Sequence, residues 1–191
     1  MRVKFVWAAG VSVLAVALAL GTGNAALDDE ANAAVNAIAD KLEKGDAAGA
    51  KKDATELAKN DLDSIMHAFK LKKQKGIGLL KLKDTTIPDG VELAINGIAD
   101  GKVSAAAIKK ETAALTRAGY VSQAIALVAV AKAPDKDDGK KKVSDWKEWS
   151  SNMVAASQEF TNAAKAGDAA ALKKAANKLK NSCDSCHPLF K

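Results

Sequence analysis

Cys183-Asp184-Ser185-Cys186-His187 is the stretch of this 191-residue chain whose residue types and spacing specify a chemistry. It reads C-x-x-C-H, the attachment signature of c-type haem. Two thiols add across the two vinyl groups of the macrocycle and leave thioethers. On a helix, positions i and i+3 present both sulfurs on one face. His187 stands four residues beyond Cys183, so its imidazole can reach the iron from the same side. Three other chemistries use similar residues. A thioredoxin-like redox pair belongs at a helix start in a βαβ setting, and no strand pattern is visible. A disulfide between residues three apart closes too small a loop to stabilise much. A zinc ion held by Cys183, Cys186, His187 and His67 is poorly served by adjacent Cys186 and His187.

The elements that must position this motif read as helices throughout. Leu172, Ala176, Leu179, Cys183, Cys186 and Phe190 step by three or four, so both cysteines continue the buried stripe of a final helix. Pro188 predicts that regular helix stops near His187. The helix before it, Ser144 to Ala166, carries Trp146, Trp149, Met153, Ala156, Phe160 and Ala163 at the same spacing, and Gly167-Asp168 reads as a stop and a cap. Ser104 to Lys132 reads as one long helix with Ile108, Leu115, Val121, Ile125 and Val128 inward, and Val91 to Asp100 as a short one. Lys72 to Gly90 and Pro134 to Lys142 read as loops. A first helix runs over Ala26 to Leu42. Gly45-Asp46 then opens a second, which continues or bends and resumes through Leu62, Ile65, Met66 and Phe69. The Gly-Asp-Ala-Ala turn occurs at 45–48 and again at 167–170; shared helix grammar explains it more simply than a duplicated hairpin.

Composition agrees. The chain has 41 alanines, 13 glycines and 3 prolines, with aromatics at 4%. Alanine is the strongest helix former, so the fold class is all-α. Alanine also offers little apolar area to a core, and a bulky cofactor would supply what is missing. Residues 1–25 read as a secretory signal peptide. Arg2 and Lys4 precede thirteen uncharged, mostly apolar residues, Ala8 to Leu20, and Gly23-Asn24-Ala25 supplies small residues for a cut after Ala25 or Ala26. Thirteen residues fall short of a bilayer span. No later segment reads as a span, so an exported, periplasmic protein without an integral membrane segment is expected. After cleavage, 27 basic residues face 23 acidic ones, and Arg117 is the only arginine among them. Nucleic-acid readers favour arginine and aromatics, so that class is excluded.

Trp146-Lys147-Glu148-Trp149, Phe160, Ala163-Ala164, Gly167-Asp168 and the run Ser182 to Lys191 together resemble the end of a class II c-type cytochrome, the cytochrome c′ and c-556 family. The match covers about Pro134 to Lys191, with a looser helical match back to about Asp61. The resemblance implies an antiparallel four-helix bundle with a C-terminal haem-attachment helix. It divides the mature chain into an extra helical hairpin at 26–60 and a haem-binding bundle at 61–191. The chain ends in Phe190-Lys191 where the family often has Phe-Arg. Family members are commonly dimers, so a homodimer and redox partner proteins are expected.

The resemblance also implies that the distal haem face meets the helix beginning at Leu62, where a Met makes the iron six-coordinate and an apolar residue leaves it open. Met66 falls near the buried stripe of that helix, and His67 points largely away. Met66 is therefore the favoured distal ligand and His67 the alternative. The expected protein is a mono-haem c-type cytochrome in electron transfer, with haem c held through Cys183 and Cys186 and His187 as proximal ligand. The alternative is a five-coordinate binder of nitric oxide. No catalytic residue is expected: His67 is the only other imidazole, and no acid–base pair is visible.

Overall fold

The computed structural model describes residues 23–79 and 89–190. The expected leader at 1–25 lies almost wholly outside them, and its cleavage point falls in the first turn of the first helix. Eight α-helices occur among the described residues: α1 (Gly23–Glu43), α2 (Ala47–Leu57), α3 (Leu62–Met66), α4 (Val91–Ala99), α5 (Ala105–Lys110), α6 (Thr112–Ala131), α7 (Val143–Ala166) and α8 (Ala169–Phe190). Short 3-10 turns follow at His67–Phe69 and Lys72–Gln74. No β-strand occurs among the described residues; two isolated bridges, Leu71 with Gly90 and Asp138 with Lys141, are the only extended pairings there.

Helix boundaries follow local chemistry. Gly45 and Gly167 adopt positive φ, +82° and +63°, and stop α1 and α7. The Asp46 carboxylate accepts from Gly49 N at 2.9 Å, and that of Asp168 from Ala170 N and Ala171 N at 3.0 Å. Asp61 does the same for Ser64 N at 3.0 Å, so the chain bends after α2 and resumes as α3. Ser64 also holds the Asp61 carboxyl below its ordinary pKa. The long helix expected over Ser104 to Lys132 is two. Thr112 turns its hydroxyl back onto the carbonyls of Ile108 and Lys109, and the backbone leaves helical geometry at Glu111. At the other end the helix is longer than expected. α8 continues through Pro188, which sits in its last turn and costs one hydrogen bond there rather than an interior break.

The four long helices pair in series, α1 on α6, α6 on α7 and α7 on α8, each antiparallel to the last. Arg117 near the start of α6 bonds Asp40 near the end of α1 at 2.6 Å. The Trp146 indole, near the start of α7, donates to Ala129 O near the end of α6 at 2.7 Å. Lys178 of α8 pairs with Glu159 of α7 at 2.7 Å. α4 packs on α8, and α2 and α3 on α1 and α6. One apolar core runs through all of them: Val35 and Ile38 of α1 and Ala54 of α2 belong to the same cluster as Phe160 and Leu179. Segment 26–60 is thus continuous with the rest of the core.

α6 is surrounded, and that explains its sequence. It is long and apolar enough by composition to cross a bilayer, a feature the sequence reading did not assign to any segment after the leader, yet most of its length is buried in protein. A helix apolar on all sides belongs at the centre of a packed array as much as in a membrane. Its approach to α7 is close at Gly119, where a Cβ would overlap the Thr161 hydroxyl. Gly119→Leu should therefore cost about 1–3 kcal/mol or more by overpacking, seen as a lower midpoint in a thermal melt followed by circular dichroism. Leu at exposed Ala113 on the same helix should shift the melt by no more than the equivalent of about 0.5 kcal/mol.

Candidate haem-attachment site

α8 positions the motif by helical periodicity. Leu172, Ala176 and Leu179 are fully buried, and Cys183 and Cys186 extend that stripe toward the exposed C-terminal end, where both are half-buried. Neither cysteine is in a disulfide. His187, one residue on, is exposed. The motif therefore lies where a buried stripe opens to solvent.

The cysteine face turns toward α4. Asn177 reaches Ala99 O at 3.4 Å near one end of α4, and Glu92 near the other end acts on Cys183, so α4 runs antiparallel to α8. Both helices rise about 1.5 Å per residue, so Glu92 in the first turn of α4 lies level with Asp184. Burial pushes the Cys183 thiol up to about 11, with the negative charges of Glu92 and Asp184 adding to the effect. Burial alone raises Cys186. Both thiols are therefore protonated at neutral pH, the form that adds as S–H across a vinyl group. On the α7 side, the Glu159–Lys178 pair puts Trp149 level with Pro188. A groove of about 490 Å³ there is lined by Trp149, Asn152, Ala156, Lys178, Ser182 and Ser185. It lies roughly a third of a turn around α8 from the cysteine stripe.

The residues fit the chemistry of covalent attachment. Two unpaired, protonated thiols stand one helical turn apart, and an imidazole follows on the solvent-open end of the same helix. The competing chemistries find less. Among the described residues there is no strand to frame a thioredoxin-like pair, and no group of three or more His, Cys, Asp and Glu that could hold a metal ion.

The two distal candidates are placed elsewhere in the array. Met66 is partly buried against the core at the end of α3, which packs on α1 and α6. His67 is half-buried rather than turned to solvent. Its Nδ1 lies 3.0 Å from Asp28 of α1 and its Nε2 3.4 Å from Asp63, so carboxylates face both ring nitrogens. α8 packs mainly on α7 and α4, and α4 also touches the His67–Phe69 turn. The candidate attachment residues are thus gathered on one helix, while Met66 stands on α3, packed on α1 and α6, and His67 in a turn packed on α1 and α4. Sequence reasoning did not single out Glu92 or Asp28. Each meets its partner across a long stretch of chain, and neither carries a local signal.

Comparison with family models, with curated proteins and with solved structures finds no match to this chain.

The thiol environment has a measurable consequence. Iodoacetamide should modify Cys183 of the folded chain without attached haem at least ~10-fold more slowly at neutral pH than in denaturant. The rate should climb as pH approaches about 11. Because the folded value lies above the ordinary 9.0, the protonated thiol favours the folded state. That contribution is complete below pH 9.0 and is lost as pH rises toward about 11.

Proposed function

We propose that this protein is an exported mono-haem c-type cytochrome that carries electrons, with the haem attached near the C-terminus of α8. The observation that supports this best is the pair of free, half-buried thiols of Cys183 and Cys186 on one helical face, followed at once by an exposed His187. When bound, such a haem supplies a one-electron ferric–ferrous couple. The chain's own residues do the rest. Each thiol forms a C–S bond to a vinyl carbon, and its hydrogen goes to the neighbouring carbon, so attachment needs no oxidant. His187 holds the proximal side. Leu179 and Ala176 anchor the helix below the motif, and α4 covers the cysteine face. The periplasmic leader at 1–25 belongs to the same reading, because haem of this type is attached outside the cytoplasm.

In this reading residues 61–191 form the haem-binding bundle and 26–60 is the extra hairpin, whose α1 and α2 pack on α6. A homodimer and redox partner proteins belong to the same proposal. No catalytic turnover is part of it.

A second reading, a five-coordinate haem that binds nitric oxide, is favoured by one observation. Met66 and His67 sit on elements that pack chiefly on α1, and His67 is already engaged by Asp28 and Asp63. Met66 is the distal ligand under the carrier reading with a closed iron, since Met/His ligation raises the reduction potential.

Attachment is tested on the purified, exported protein. Cys183→Ala and Cys186→Ala singly should leave one thioether, and together none, so that acid–organic extraction of denatured double variant removes all haem. Haem retained by the double variant would refute the assignment. Carbon monoxide separates the two readings: immediate binding by the ferrous protein supports the open iron, and inertness supports Met66.

A further inference from the structure

The Lys70 to Lys75 turn carries four lysines, Lys70, Lys72, Lys73 and Lys75, and the ten residues from Lys70 to Leu79 contain no acid. All four lysines are exposed, and none forms an ion pair with another described residue. The other lysine-rich loop differs. In 135–142, Lys136, Lys140, Lys141 and Lys142 are interleaved with Asp135, Asp137 and Asp138, and Lys142 pairs with Asp137 at 3.0 Å. Among the described residues, the lysines of 70–75 have no such pairing.

The turn is also held in shape. Lys72 N donates to Asp89 O at 2.9 Å, and Leu71 bridges Gly90 immediately before α4. Ile77 N donates to Ala68 O at 3.1 Å, and Asn32 of α1 donates to the Lys75 carbonyl at 2.6 Å. Gly76 is packed so closely on the Lys70 carbonyl that a Cβ would not fit. A turn this tied presents its lysines at fixed positions, which lowers the ordering cost of docking. Its place matters as much. It adjoins Gly90, two residues before Glu92, and Glu92 is level with the Cys183–Cys186 end of α8. Two described acids close to it in the fold are partly occupied: Asp89 accepts from Leu79 N, and Asp63 faces His67.

We propose that the Lys70–Lys75 turn is the docking surface for an electron-transfer partner that presents a cluster of carboxylates. This rests on the haem reading for the partner's redox role, while the surface itself stands on the charge and the fixed turn. Complementary charge raises the association rate and makes it fall with salt. A patch beside the motif would bring the partner to the end of the molecule where the haem is attached.

The experiment uses the holoprotein, a Lys72→Glu/Lys73→Glu variant, and a Lys51→Glu/Lys52→Glu control with the same change in net charge. Lys51 and Lys52 are exposed on α2, whose start adjoins the opposite end of α1 from Asp28 and Asn32. The ferrous proteins are oxidised by anionic ferricyanide and by cationic tris(phenanthroline)cobalt(III) at low and high salt. In the 72/73 variant the ferricyanide rate should fall about 10-fold at low salt and lose most of its salt dependence, while the cobalt rate rises. The control should change each rate by less than about 2-fold. Equal effects in the two variants would reduce the patch to net charge and overturn the proposal. Hexaglutamate titrated into isotope-labelled protein gives a readout independent of haem chemistry. Amide shifts should centre on 70–75 and vanish in the 72/73 variant; shifts centred elsewhere overturn the proposal. Binding to anionic phosphatidylglycerol vesicles, with no shift from hexaglutamate, would make the occupant a lipid surface and overturn the protein partner. If the protein carries no haem but hexaglutamate maps to 70–75, the haem reading fails and the docking surface stands.

Discussion

Close packing of small side chains around α6 is the constraint on which the rest of this molecule depends. A core built largely of alanine buries little area per residue, so it must gain from dispersion at short range. Gly119 on α6 meets Thr161 on α7 with no room for another carbon. The hydroxyls that this closeness buries are satisfied within their own helices. Ser157 donates to Met153 O and Thr161 to Ser157 O, each at 2.8 Å, and Ser122 donates to Ala118 O at the same distance. Buried polar groups therefore cost little here, and the helices keep their close approach.

Because apolar area is scarce, polar clamps settle how the first helices join the rest. Arg117, the only arginine beyond Arg2, fans out from α6 to Asn36, Asp40 and Glu43 on successive turns of α1. A guanidinium suits this work, with five donors in a rigid fork and a charge that does not titrate. At the other end of α1, Asp28 meets His67, and Asn32 meets Lys75. These contacts make α1 part of the main array and fix the lysine-rich turn against it.

α8 has two unlike neighbours. α7 holds it along its length through an apolar seam crossed by the Glu159–Lys178 pair, while α4 faces the cysteines with its charged first turn. A cofactor tethered at Cys183 and Cys186 would meet a negative carboxylate at Glu92 on one side and an aromatic ring at the level of Trp149 on the other. A covalent tether would make such a modest enclosure workable, since thioethers would retain the group whatever else touches it.

The helices, their capping turns and the place of both cysteines on the buried stripe of the last helix were legible in the sequence, because each depends on residues within a few positions of one another. Gly45-Asp46 and Gly167-Asp168 announce their turns, and the three- and four-residue steps of α7 and α8 announce their buried faces. The break at Glu111 was hidden, since Thr112 competes for carbonyls that the hydrophobic pattern leaves unmarked. Where His67 points, which residue faces Cys183, and whether α1 stands apart or enters the core were beyond the sequence. The reason is physical: helical periodicity fixes which side of a helix is apolar but not which neighbour covers it. Asp28 meets His67, Arg117 meets Asp40 and Glu92 comes level with Cys183 only after the chain has packed, so tertiary structure alone decided them.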